Sequence, residues 1–281
     1  MSELENLIET IKYPLQNLFF KVYKAIPFHI LPELERQHID GSISKLFLQT
    51  NSALQLSQGT IIELADITIK KVDYVSMQNI ARSVLETYAV IHHIFISPGI
   101  ENAIKKDDIK KFRLLYSKYQ GLIIRKDLPP QDEAQKAQLQ NEAIEIKQSL
   151  DDIRNTQHYA DLKAKAKNKI RFDSDLEAGI YNELSKNRML KNSGISAKTV
   201  KILYGYLSNH SHSGYLSLVQ TGWSSDSNKA KIALEHCFRA MLLTIMALEE
   251  IFPEVRKILD ENPTEKEAIK TLSDEYRNVL G

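Results

Sequence analysis

The chain has 281 residues, 43% of them apolar and 26% charged, with a formal charge of +1. That length admits one large domain or two small ones with a real core, and so small a net charge excludes capture of nucleic acid or an anionic membrane by a global field. The single cysteine, Cys237, excludes an intramolecular disulfide and a multi-cysteine zinc site, while ten Gly and eight Pro are few enough to favour long helices over turn-rich sheets.

The expected class is all-α, a multi-helix up-and-down bundle. The opening, MSELENLIET, is acidic and lacks the basic and apolar regions of a secretory signal. The longest apolar run, Ala240 to Leu248 with Thr244 inside it, is far shorter than the roughly 20 residues of a membrane helix. A cytoplasmic protein with no membrane partner and no cofactor is expected.

In chain order, Leu4, Leu7, Ile8, Ile11, Leu15, Leu18, Phe19 and Val22 recur at steps of three and four and predict a helix over 3–25, with Pro14 as a potential kink. Pro27 and Pro32 bracket a connection. Asp40, Gly41 and Ser42 read as a second break, with Ser42 capping a helix to Ser57. Gly59 interrupts, and Ile61, Leu64, Ala65, Thr68 and Ile69 keep helical spacing within a β-branched stretch, so 61–72 is expected to be helical.

Ser76 is the expected cap of the next helix, which Ser97, Pro98 and Gly99 would stop. Met77, Ile80, Val84, Tyr88, Ile91 and Phe95 form its apolar face. Arg82, Glu86 and His93 fall at i, i+4 and i+11 and lie nearly on one line at 3.6 residues per turn. A helix over 102–124 follows, with Phe112, Leu115, Tyr116 and Tyr119 inward.

From Gln131 to Lys169 there is no Gly or Pro, and Leu139, Ala143, Ile146, Leu150 and Ile153 make a short heptad seam. One long helix is expected there, pairing within the chain or with a second copy. The chain then reads as a single domain with its core formed by 1–126 and 172–281, and 127–171 as a polar helical projection. The basic residues of Lys163 to Arg171 spread around a helix, which a solvated face explains better than an RNA contact. Leu176, Ile180 and Leu184 suggest a short helix, NSGIS at 192–196 a turn and new N-cap, and 228–252 and 264–280 the last long helices.

The helix after that turn carries YGYLSNHSHSGY, Tyr204 to Tyr215. Tyr204, Ser208 and His212 stand at i, i+4 and i+8 and stack phenol, hydroxyl and imidazole on one stripe; His210 lies off it. His212 sits in the last turn, where the helix dipole favours a protonated imidazole. Facing Arg82 and Glu86, this stripe would form a catalytic site, with His93, Asn209 and His210 as secondary candidates. A purely structural network of the same Arg, Glu, Tyr, Ser and His residues is an equal alternative. A metal site on Glu86, His93, His210 and His212 is weaker, because neither HExxH nor ExxH pairs occur, and no metal is expected. No phosphate-cradling glycine loop or GxSxG is present.

The segments ARSVLETY and YGYLSNHSH resemble the RSxxE and YxxxSxxxH signatures of a family of bacterial all-helical proteins known as a domain of unknown function, itself distantly similar to the HEPN superfamily. The resemblance covers Gln78 to Phe95 and Val200 to Gly214. It implies a metal-independent ribonuclease or RNA-directed effector of a defence or toxin system, acting as a homodimer on RNA. HEPN ribonucleases carry Arg and His on one helix with four to six residues between them. Here the nearest match, Arg154, Asn155 and His158, has only three residues between Arg and His, so the site would have to combine Arg82 and His212 from two helices. The alternative is a non-catalytic helical interaction or sensor protein.

Overall fold

A computed structural model describes residues 3–64, 67–126, 129–163, 167, 186–201, 205, 207 and 227–278. The protein is all-α, with one small hairpin. In order the elements are α1 (Glu3–Ala25), a short 3-10 turn, α2 (Glu33–Ser57), β1 (Thr60–Leu64), β2 (Ile67–Lys71) and α3 (Tyr74–Ile91). A π-helical turn, His92–Ile96, leads to α4 (Ser97–Glu101), α5 (Lys106–Lys126), α6 (Glu133–Arg154) and α7 (Gln157–Asp161). After α8 (Lys186–Asn192) come α9 (Ser227–Ile251), α10 (Pro253–Asp260) and α11 (Pro263–Asn278). No described helix is long and apolar enough to cross a membrane.

Two compact units result, one of Met1–His92 with Met189–Gly281, the other of His93–Arg188. The expected boundaries lay at 126/127 and 171/172, whereas the contacts divide the chain at 92/93 and 188/189.

The first unit is built around α9. Ala233, Leu234, Cys237, Met241, Leu243 and Leu248 are all fully buried, and a helix apolar around much of its girth must be covered on several sides. α1, α2, α3, α10 and α11 all pack on it. α1 contributes Leu15, Leu18, Phe19 and Val22, and runs unbroken through Pro14. Lys266 of α11 bridges Glu249 at 2.6 Å and Asp260 at 2.7 Å, tying the last three helices together.

The break expected at Asp40 to Ser42 does not occur: α2 is continuous through it. The cause is tertiary, since Tyr23 Oη donates to Asp40 Oδ1 at 2.8 Å and occupies the carboxylate that would otherwise stabilise a turn. Phe19 stacks on Phe47 with ring centroids 6.0 Å apart, and Gln16 donates to Asn51 at 2.7 Å, fixing α1 along α2. Gly41 is therefore a mid-helix glycine, and a Cβ there would meet nothing within 4 Å. Gly41→Ala is expected to stabilise the protein by about 1 kcal/mol through lost unfolded-state freedom. A rise in the urea midpoint at unchanged slope is the check.

The helix expected over 61–72 is instead an antiparallel hairpin pairing Thr60 with Lys71, Ile61 with Lys70, Ile62 with Ile69, Glu63 with Thr68 and Leu64 with Ile67. Six of these ten residues are β-branched, which outweighs the chance helical spacing of the apolar set. Gly59 begins it at φ 87°, and a Cβ there would fall 2.9 Å from the Lys70 side chain. The positive φ is what favours glycine there.

In the cap of α3, Asp73 takes the place expected of Ser76: its Oδ1 accepts from the Ser76 amide at 3.0 Å, and Ser76 Oγ donates to Oδ2 at 2.6 Å. The apolar face of α3 is as expected, with Met77, Val84, Tyr88 and Ile91 buried. Ser97 to Gly99 do not end the helical path. The chain widens into the π turn, and Pro98 enters the first turn of α4.

In the second unit α5 and α6 pack antiparallel, joined by Lys118 to Glu145 at 2.9 Å and Arg125 to Glu142 at 3.0 Å. Phe112, Leu115, Tyr116 and Tyr119 are buried as expected. So are Ile146, Leu150 and Ile153 of the seam, whereas Ala143 is exposed. The seam thus meets α5 of the same chain. The single long helix expected over 131–169 breaks at Asn155, where Thr156 caps α7 and Asp108 of α5 accepts from the amides of Gln157 at 3.1 Å and His158 at 2.6 Å. The short helix expected over 176–184 and the basic run beyond Lys167 lie outside the described residues.

Candidate functional site

α3 presents a partly exposed stripe made of Asn79, Arg82, Ser83, Glu86 and Val90, while Ala81, Val84, Leu85 and Tyr88 are buried. Helical spacing along the sequence is what puts these residues on one side. Arg82 Nε donates to Glu86 Oε1 at 3.0 Å, and each side chain keeps 20% of its exposure. Next to them Gln49 of α2 donates to Ser83 Oγ at 2.8 Å. An i, i+4 pair with the cation first is the less favourable order, and this one contributes about 0.5 kcal/mol or less.

His93 belongs to the second unit, Arg82 and Glu86 to the first. Winding widens at His92, so an alignment computed at 3.6 residues per turn fails there, and His93 falls in the second unit at 2% exposure. Its carbonyl accepts from Arg113 Nη1 at 2.8 Å. Tyr204, Ser208, Asn209, His210 and His212 lie outside the described residues. Of the expected catalytic set, Arg82 and Glu86 are brought together.

The segment that leads to the others is anchored in the same unit as Arg82. Tyr88 Oη donates to the Ser193 carbonyl at 2.7 Å, tying α3 to the turn at 193–195, where Gly194 adopts φ 80°. Ser196 then caps a helical start as expected, its Oγ accepting from the Thr199 amide at 3.1 Å. Val200 and Leu207 are buried further along. Tyr88 lies on the apolar face of α3, and a buried tyrosine hydroxyl needs a partner, which is the signal for this tie in the sequence.

Other nucleophilic or metal-binding chemistry finds little support among the described residues. Cys237 is fully buried, and burial pushes its thiol up to about 12, so it stays protonated. No group of three His, Cys, Asp or Glu side chains is placed to hold a metal among the described residues. Arg154 and His158, the nearest approach to the HEPN spacing, are divided by the break between α6 and α7.

Comparison with protein-family models, curated proteins and solved structures finds no match to this chain.

Proposed function

We propose that the protein is an RNA-directed effector of the HEPN-like kind, a metal-independent endoribonuclease of a bacterial defence or toxin system. The observation that supports this reading most is the Arg82–Glu86 pair: a guanidinium held at 3.0 Å by a carboxylate one turn on, on a partly open stripe. A guanidinium fixed by a carboxylate one turn away, with part of its surface still open, can offer a positioned positive charge to an anionic ligand. In this reading Arg82 stabilises the charge on a phosphorane formed by 2′-hydroxyl attack, and Glu86 orients it. His212 or His210 moves the proton, while Tyr204 and Ser208 position the phosphate.

A quenched-fluorophore RNA assay, run with magnesium and with chelator, tests it. Wild-type protein is expected to cleave in both conditions. Arg82→Ala and His212→Ala are expected to reduce the rate at least a hundredfold, about the scale of losing an acid or a charge-stabilising group. In this reading Arg82→Ala stays folded, with the circular dichroism of wild type, while cleavage is lost. RNA left intact by wild-type protein in every condition overturns the enzymatic reading.

The second reading is a non-catalytic helical interaction protein, favoured by the Gln49 to Ser83 bond beside the pair, which makes the stripe part of the α2–α3 packing. It predicts that Arg82→Ala costs several kcal/mol with no catalytic phenotype.

A further inference from the structure

Negative charge is missing from one long stretch of the chain. Residues 184–225 contain no Asp or Glu, although the chain has 36 of them and an even spread would place several there. The described part of that stretch, 186–201, holds Lys186, Arg188, Lys191, Lys198 and Lys201. A chain with a formal charge of +1 is therefore basic here and net acidic elsewhere. The run from Lys163 to Arg171 differs, because Asp161, Asp173, Asp175 and Glu177 flank it.

From Met189 on, this stretch belongs to the first unit, and packing fixes it there. Met189, Leu190, Ile195 and Val200 are buried, whereas Lys191, Lys198 and Lys201 are exposed. Lys191 stands in the last turn of α8. Lys198 and Lys201, three apart on the helical start that Ser196 caps, are neighbours on one side of it. The turn between these lysines is fastened to α3 by the bond from Tyr88 to the Ser193 carbonyl. Along α3, Tyr88 lies about 9 Å of helix rise from Arg82.

The exposed chemistry selects the partner. A lipid surface takes apolar side chains into its acyl boundary, and a stable protein interface has an apolar centre. Met189, Leu190, Ile195 and Val200, the large apolar residues of 189–201, are all buried, so this surface supplies neither. Fixed ammonium groups, with the exposed amide of Asn192 among them, suit the oxygens of a phosphate backbone.

We propose that the turn between α8 and the helix after it is a docking surface for the RNA backbone, where Lys191, Lys198 and Lys201 each neutralise a phosphate whatever the base. The proposal rests on the RNA-directed reading above and gives it a strand-holding surface separate from Arg82 and Glu86.

The test is the fluorescence anisotropy of a labelled single-stranded 2′-O-methyl RNA, titrated with the full chain at several salt concentrations. Blocking the 2′-hydroxyl prevents cleavage during the measurement. Wild-type protein is expected to bind, more weakly as salt rises. Lys191→Gln, Lys198→Gln and Lys201→Gln together are expected to weaken binding about tenfold or more at low salt. They should also lower the slope of log affinity against log salt by about 2, since each phosphate contact on a single strand contributes about 0.7. A-rich and U-rich strands should be affected alike. Single substitutions, each lowering the slope by about 0.7, answer in place of a triple variant that does not fold. Lys45→Gln, Lys257→Gln and Lys270→Gln together remove the same charge from exposed positions of the same unit and should leave the slope unchanged. The proposal is overturned by wild-type protein that binds no RNA or prefers phosphatidylserine vesicles to it. An unchanged slope in the variants of Lys191, Lys198 and Lys201, or an equal loss in the variant of Lys45, Lys257 and Lys270, also overturns it. RNA bound as expected but left intact in the cleavage assay overturns the nuclease reading alone, and cleavage by the Lys191, Lys198 and Lys201 variant at the wild-type KM overturns this surface alone.

Discussion

Arg113→Ala is expected to destabilise the protein by about 3–5 kcal/mol, the range for removing one partner of a buried charged network. The reason begins in the backbone. In the π turn at His92–Ile96 a carbonyl accepts from the amide five positions on, and for the carbonyl of His93 that position is Pro98, which has no N–H to donate. Arg113 fills the gap from α5: Nη1 donates to the His93 carbonyl at 2.8 Å, and Nη2 donates to Glu101 Oε1 and Oε2 at 2.8 and 2.7 Å.

The Arg113 side chain is 3% exposed and Glu101 39%, so truncation strands a buried carbonyl and empties a packed site, while the carboxylate can recover water. Arg113→Met keeps most of the stem and should lose less, about 2–3 kcal/mol, because only the hydrogen bonds go. Chemical unfolding of wild type and both variants separates the two contributions. Equal losses would mean the bonds dominate, and a change below about 1 kcal/mol in both would refute the account.

The same junction shows what was legible in the sequence. Steps of three and four identified the buried faces of α1, α3 and α5 from Phe19, Val84, Phe112 and their neighbours, because burial and helical period act together at those positions. They could not reveal the π turn, whose stability depends on an arginine 20 residues further on. Asp40, Gly41 and Ser42 spell a turn by local preference, and only Tyr23 on another helix overrides it. At the hairpin the local signals themselves conflicted, since isoleucines at helical spacing were also β-branched, and chain reversal between Leu64 and Ile67 settled the matter. For the candidate site, the Arg82–Glu86 pairing was readable because its partners are one turn apart. The helical phase of His93 was not, since the winding changes at His92.

Acid is expected to weaken the protein through His236, with a loss of about 2 kcal/mol between pH 7 and pH 5. His236 lies on α9, the helix every other large element of its unit packs upon, and is 7% exposed. Burial, and secondarily the charge of Arg239, lowers its pKa from 6.5 to about 4. The folded state therefore resists a proton that the unfolded chain accepts. Stability from this group is complete above the unfolded value of 6.5, falls as pH drops below it, and levels off once pH passes about 4, a total of about 3 kcal/mol. His38, whose pKa burial also lowers against the raising effect of its bond to the Leu34 carbonyl at 3.0 Å, adds a contribution of the same sign. His236→Gln removes the titrating group from α9 and leaves His38 in place. Urea midpoints at pH 7 and pH 5 should converge in the variant by most of the wild-type difference, whatever the variant's absolute stability. If the wild-type midpoint is flat across that interval, or the variant keeps the full slope, the imidazole is not buried neutral and the packing of α9 around it is wrong.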